Sequence, residues 1–333
     1  MNEDANAGEI WVVLPWLADA FETRGGDGAA PALKWLLARG KRPQDGEDDW
    51  RSFCVRSVGL PAGTLERFPE GPCARAAWSG SPASGCWARA RPVHLLAAID
   101  HLRLAPLEGL QISHAEAGEL LQSLNAHLRE IGLCLHVASP GEWLLECREP
   151  LDCESPDPAR AAGENLRHHL PRGVDARRLQ GIVNELQMVL HEHPVNVDRA
   201  ARGLLPINSV WFWGFGQAPA ASPQALPMLL SDDPWLRGLW TLHGAACAVL
   251  SEAGERIGLG QRLLLVASEP AAFGGGRALE TLEREVFAPL RSALRCGAMR
   301  RVSLLLGKQT LEINGGMRWR FWRRPGTPVE MPE

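Results

Sequence analysis

The stretch His191-Glu192-His193-Pro194-Val195-Asn196-Val197-Asp198-Arg199, running on to Pro206-Ile207-Asn208-Ser209-Val210-Trp211-Phe212-Trp213-Gly214-Phe215-Gly216, gathers residue types that do chemistry. Asn and Arg resist burial unless hydrogen-bonded. Two Trp two positions apart share one face of a strand. Arg presents a planar fork of donors that suits a phosphate or carboxylate. His193, Asn196, Arg199, Asn208, Trp211, Trp213 and Gly214 are therefore the candidate ligand-binding residues. The ligand they predict is a small phosphorylated or carboxylated molecule near Arg199. The competing reading is that the same residues brace the junction between two parts of the chain.

Other constellations predict less. His191 and His193, two apart on a helix, face different directions and do not predict a shared zinc ion. The adjacent His168 and His169 read as solvated loop residues. Gly274-Gly275-Gly276 before a helix could hold a phosphate on helix N–H groups. No Lys-Ser/Thr follows, so it is not a P-loop, and a flexible loop is the plainer reading. The eight Cys form no CxxC pair and read as reduced thiols with no activating context. No GxSxG elbow occurs.

These residues need elements to hold them. Ile10–Pro15, Arg262–Ala267 and Val302–Leu306 are short apolar runs, as buried strands of a parallel sheet would be. Pro31 to Gly40 reads as a helix, with Pro near its start and Gly past its end. Residues 41–52 read as polar loop, and 69–86, rich in Pro, Gly, Ser and Ala, as a mobile segment. Ser113 and Glu116 form a capping box ahead of Ala117, Leu120, Leu121, Leu124 and Leu128. Short strands are expected at 94–96, 102–104, 134–137 and 143–147. Helices are expected at 175–191, 235–250 and 279–294, the first using Leu179, Ile182, Val183, Leu186, Met188, Val189 and Leu190 as its apolar positions. Strand, helix, strand between 262 and 306 implies a right-handed βαβ unit.

Composition excludes some classes. The net charge of -4 over 333 residues argues against general nucleic-acid binding. The basic, aromatic run Arg318-Trp319-Arg320-Phe321-Trp322-Arg323-Arg324 could bind phosphate or a single strand, but also reads as a final strand with a solvated end. No apolar run reaches the roughly 18 residues of a membrane span. The acidic opening Met1-Asn2-Glu3-Asp4 lacks the basic start of a signal peptide. A cytoplasmic protein with no membrane and no nucleic-acid partner is expected.

The landmarks, taken in order, resemble the archaeal-type, cofactor-independent phosphoglycerate mutases of the alkaline phosphatase superfamily. The opening strand, Pro31…Leu33…Leu36-Leu37-Ala38-Arg39-Gly40, Ser113…Glu116-Ala117…Leu120…Leu124-Asn125, and above all His193-Pro194-Val195-Asn196…Arg199…Gly203…Pro206-Ile207-Asn208…Trp211-Phe212-Trp213-Gly214-Phe215-Gly216 carry the likeness. A narrower resemblance is to the bacterial RpfE-type regulatory proteins, through Pro92-Val93-His94-Leu95, Asn184 to Asn196, and Ile207 to Gly214. The resemblance implies an α/β fold, a doubly wound, mainly parallel sheet of alkaline-phosphatase type with an inserted α+β domain. It places a discontinuous core at 1–92 and 207–325 and the insertion at 93–206.

The resemblance also implies two metal ions and a Ser or Thr nucleophile, held at strand ends. Those positions differ here. The Asp-Gly that closes the family's first strand is replaced by Pro15-Trp16. The family's HxxxxDxxGH pattern falls on Leu265 to Gly275, which has no His and no Asp. Its Asp-His falls on Leu306-Gly307-Lys308. The expectation is a phosphoglycerate-mutase-like protein without catalytic residues, metal or cofactor, acting as a cytosolic regulatory or ligand-binding protein. The alternative is an active 2,3-bisphosphoglycerate-independent phosphoglycerate mutase or related phosphatase, in which displaced ligands Asp19 and Glu269 hold Mn²⁺, Mg²⁺ or Zn²⁺. A third reading is a protein partner docking on exposed Trp235 and Trp240, or Trp319 and Trp322.

Overall fold

The computed structural model describes residues 8–17, 30–41, 50–59, 67–81, 84–97, 102–221, 225–257, 261–268, 277–307 and 309–316. The chain starts with β1 (Gly8–Leu14), α1 (Pro31–Arg39) and α2 (Trp50–Ser57). Then come α3 (Glu70–Ser79), β2 (Cys86–Val93), the hairpin β3 (Leu95–Ala97) and β4 (Leu102–Leu104), and α4 (His114–Leu128). They are followed by β5 (Leu133–Ser139), β6 (Glu142–Cys147), α5 (Pro158–Ala161), α6 (Ala176–His191), α7 (Pro194–Ala201) and β7 (Ser209–Gly216). The last part holds β8 (Met228–Leu230), α8 (Pro234–Leu242), β9 (Cys247–Ala248), α9 (Ala253–Ile257) and β10 (Leu263–Val266). It ends with α10 (Ala278–Leu282), α11 (Ala288–Cys296), β11 (Met299–Leu306) and β12 (Gln309–Asn314).

Two compact units form, 1–62 with 222–333, and 63–221. The sequence boundaries at 92/93 and 206/207 differ from these. They would have left β2 and β7 in the core, whereas β2 pairs with β6 and β7 inside the second unit. Strand pairing distant in sequence decides the split.

The first unit is built on a sheet ordered β12-β11-β1-β10-β8-β9 among the described residues. β1 lies parallel between β10 and β11, and β8 and β9 continue the parallel set. Only β12 runs antiparallel, at one edge. This is the expected mainly parallel α/β sheet. Its central strands bury both faces, which is why they read as unbroken apolar runs. Leu263 to Val266 are each at most 1% exposed. The expected helix at 279–294 forms as α10 and α11, joined by a π turn at Glu283–Phe287. Pro289 sits at the start of α11 and has no N–H to donate, and a widened turn just ahead absorbs its ring.

That turn also solves a problem for α1. Ala30 precedes α1 and offers no capping side chain. The N–H groups of Ala32 and Leu33 instead donate to the two carboxylate oxygens of Glu283, at 2.5 and 3.1 Å. The negative charge also suits the positive end of the helix.

Several sequence expectations change. The expected loop at 41–52 gives way to α2 from Trp50, and the expected mobile segment at 69–86 carries α3. The small residues that suggested a loop let α3 approach the sheet: a Cβ on Gly71 would fall 2.4 Å from the Ala88 Cα. The expected helix at 235–250 stops at Leu242, and β9 follows. Trp235 and Trp240 are 1% and 0% exposed, so they belong to the core and not to a docking face. Trp319 and Trp322 lie outside the described residues.

The second unit is an antiparallel sheet, β5-β6-β2-β7, beside the small hairpin β3-β4. Helices α4 and α6 cover one face, where Leu120, Leu124, Leu179 and Leu186 meet Ala88, Ala90, Leu145 and Phe212. The capping box of Ser113 and Glu116 is present as expected. Met188, expected to be apolar and inward, is 78% exposed. α3 packs on the other face through Ala74, Trp87 and Leu144.

Replacing Glu283 by Ala leaves two helix N–H groups without acceptors. We expect a loss of about 1–2 kcal/mol in urea unfolding of the full chain. An unchanged midpoint would remove Glu283 from the capping of α1.

Candidate functional site

The sequence-predicted residues come together in the second unit, but their polar atoms face inward. Arg199 is fully buried on α7. Its Nε donates to the Leu205 carbonyl at 2.9 Å, and Nη1 donates to the Gln111 carbonyl at 2.8 Å and to Glu116 at 3.0 Å. Burial alone would raise the Glu116 carboxyl. Hydrogen bonds from Ser113 and Arg199 outweigh it and hold the group down at about 2. Arg202 closes on the same carboxylate at 2.7 Å.

The asparagines copy strand pairing with a side chain. Asn196 accepts from the Ile207 N–H and donates to the Ile207 carbonyl, both at 2.8 Å, and also donates to the Leu190 carbonyl at 2.7 Å. Asn208 brackets Leu95 in the same way at 2.7 and 2.9 Å. Asn125 does so to Leu135. A primary amide carries the donor and acceptor of a peptide group, so each Asn satisfies one residue that no neighbouring strand can reach.

His193 caps α7. Its Nδ1 accepts from the Val195 N–H at 3.2 Å, and its Nε2 lies 2.9 Å from the Ser123 hydroxyl. An accepting Nδ1 fits the neutral ring, with the proton on Nε2. Burial lowers the His193 pKa, against an opposing pull from Glu119.

Trp211 and Trp213 do share one face of β7 but serve different partners. The Trp211 Nε1 donates to the Pro156 carbonyl at 2.8 Å. The Trp213 Nε1 donates to the buried Glu70 at 3.0 Å, beside Arg89, whose guanidinium lies 4.6 Å above the Trp213 ring. Arg89 joins Glu70 to Glu142, both at 3.0 Å. Gly214 has φ 63°, and a Cβ there would fall 2.7 Å from that of Glu70. Thus Gly is required for the close approach of α3. Of the seven candidates, Trp211 lines a cavity of about 150 Å³ beside β7, and the other six are not among its lining residues.

Sequence reasoning missed Glu70, Arg89 and Glu142, because nothing in their spacing marks them as partners. It also missed a thiol pair. Cys86 and Cys147 are cross-strand neighbours on β2 and β6. A hydrogen bond from Cys147 lowers the Cys86 pKa to about 6 despite burial, and raises that of Cys147.

The strand ends of the first unit are where a parallel sheet offers a ligand crevice. There the Trp16 indole donates to the Ala267 carbonyl at 3.0 Å, spanning the ends of β1 and β10. At the end of β8, Asp232 accepts from the Leu250 N–H, and Asp233 caps α8 and accepts from the Ser268 hydroxyl. An indole and two carboxylates already engaged in helix and loop bonds do not fit a two-metal centre, which needs several free oxygen or nitrogen donors. Among the described residues no group of three His, Cys, Asp or Glu side chains could hold a metal. Asp19 and Glu269, the displaced-ligand candidates, lie outside the described residues, as do Gly274, Gly275 and Gly276.

No protein-family model matches the chain. Its sequence is similar to proteins named 2,3-bisphosphoglycerate-independent phosphoglycerate mutase. The Methanosarcina barkeri protein is 31% identical over 130 residues, 38% of this chain and 33% of that protein. The Methanothrix thermoacetophila protein is 42% identical over 77 residues, 23% of this chain and 19% of that protein. The matches span about a third or less of these relatives. The structure of the PH0037 protein from Pyrococcus horikoshii aligns with a TM-score of 0.53 at 14% identity, over 97% of this chain and 91% of that one, and shows a shared fold. The chain is phosphoglycerate-mutase-like in part of its sequence. No helix among the described residues is long and apolar enough to cross a membrane.

Two outcomes are expected. Arg199→Ala leaves Glu116 and two carbonyls without their buried partner and lowers stability by about 3–5 kcal/mol in urea unfolding. A loss under about 1 kcal/mol would mean that Arg199 is not structural. For His193 the folded pKa lies below the unfolded value of about 6.5, so the unfolded chain takes up the proton first. Its contribution is full above about pH 6.5 and falls as the pH drops through that value toward the folded pKa. His193→Asn keeps a capping side chain but does not titrate, so its stability should fall less than that of the parent chain between about pH 7 and 5. Parallel curves would dismiss the cap as a titrating element.

Proposed function

We propose that this chain is a phosphoglycerate-mutase-like protein that has lost metal-dependent phosphoryl transfer and works as a cytosolic regulatory or ligand-binding protein. The observation that carries this reading is Trp16. At the end of β1, where the resemblance implies an Asp-Gly with a metal-binding Asp, Pro15-Trp16 stands instead, and the Trp16 indole is bonded across the sheet to Ala267. An indole offers one N–H donor and no lone pair for a cation. The narrower likeness to RpfE-type regulatory proteins supports a role in regulation. Arg199 does not support a phosphate site, because its guanidinium is enclosed by Glu116 and two carbonyls.

One observation favours the rival reading of an enzyme with displaced ligands. Asp232, Asp233 and Ser268 stand together at the carboxyl ends of β8 and β10, the edge where such chemistry sits in parallel sheets.

The deciding experiment is conversion of 3-phosphoglycerate to 2-phosphoglycerate by the full chain, with Mn²⁺, Mg²⁺ and Zn²⁺ supplied in turn. We expect no turnover above the metal-only control. Metal-dependent turnover that Asp19→Ala or Asp233→Asn abolishes would overturn the proposal and establish a rearranged active site.

A further inference from the structure

The second unit contains a cavity of about 150 Å³ along the outer edge of β7, between α6, the β3-β4 hairpin and residues 166–171. An apolar protein cavity of about this volume holds benzene. Val183 of α6 and Trp211 and Phe212 of β7 supply apolar walls. Because its Nε1 is bonded to Pro156, Trp211 offers only ring surface. Leu102 and Leu170 stand at the mouth, 46% and 52% exposed, and give an entering molecule an apolar path.

Charge defines what the cavity would take. Among the described residues no Lys, Arg, Asp or Glu lines it, and the lining His169 is bonded to Glu164. An anion would lose its hydration there and gain no cation. A phosphorylated or carboxylated ligand is therefore disfavoured.

One polar pair adds direction. Ser209 is 2% exposed, and its oxygen accepts from the Gln187 amide at 3.1 Å. The Ser209 hydroxyl still carries a proton to donate, and this bond leaves the Gln187 carbonyl oxygen as an acceptor. The pair thus offers one donor and one acceptor side by side in the cavity lining. A neutral amide satisfies both.

We propose that this cavity binds a neutral molecule of about benzene to indole size carrying a single amide, lactam or hydroxyl group, with Ser209 and Gln187 reading the polar end. The site is independent of the strand ends of the first unit, so the inference holds whichever way the turnover experiment falls.

The test is calorimetric titration of the full chain with benzamide, and with benzoate as its charged counterpart. Saturable binding of benzamide is expected, with benzoate weaker by about tenfold or more. Ser209→Ala should weaken benzamide by about fivefold, the loss of one neutral hydrogen bond. Val183→Phe should fill the cavity and abolish binding. Leu170→Arg, at an exposed position that does not endanger folding, should shift preference toward benzoate by adding a cation at the mouth. No saturable benzamide binding to the parent chain would overturn the proposal, as would equal affinity for benzoate or an unchanged preference in Leu170→Arg.

Discussion

The second unit depends on one constraint: where its chain leaves regular structure, buried backbone groups must still find partners. Three asparagines and one arginine meet it. Asn125, Asn196 and Asn208 each bracket the N–H and C=O of a single residue, as a neighbouring strand would. Arg199 gathers two carbonyls and the Glu116 carboxylate, which in turn closes the capping box of α4. These few side chains tie α4, α6 and α7 to the sheet and the hairpin. They are costly residues to bury, and they are tolerated because each is nearly saturated.

This explains why the residues that look most chemical are the least available for chemistry. A stretch rich in His, Asn, Arg and Trp is what a ligand site needs, and it is also what a loop-rich junction needs. The two uses differ in where the polar atoms point. Here they point at the backbone, so the polar scaffold and the open surface separate. Among the described residues the cavity beside it is lined by no Lys, Arg, Asp or Glu, and the Ser209–Gln187 pair is part of its lining.

The first unit follows the same logic with other materials. Its parallel strands bring their carboxyl ends to one edge, where a catalytic sheet would place ligating side chains. Trp16 lies across that edge, while Asp232 and Asp233 hold a loop and a helix start. The edge is built for cohesion, and the likeness to phosphoglycerate mutases is one of partial sequence, which by itself does not carry function.

Much of the architecture was legible in the chain. The apolar runs at 10–15, 262–267 and 302–306 required buried parallel strands, because only a sheet covered on both faces makes such runs stable. Ser113 with Glu116 fixed a helix start, since the capping box is a contact three residues apart. What the sequence could not show were contacts between residues far apart along it. α3 was hidden because its small residues have meaning only against Ala88. The Glu283 cap on α1, the Cys86–Cys147 pair and the enclosure of Arg199 join segments whose meeting no local pattern encodes. Residue types alone determined that Asn196, Arg199 and Asn208 must be hydrogen-bonded if buried; only the tertiary structure decided that their partners are the protein's own backbone and carboxylate, because direction and distance arise from packing and not from order along the chain.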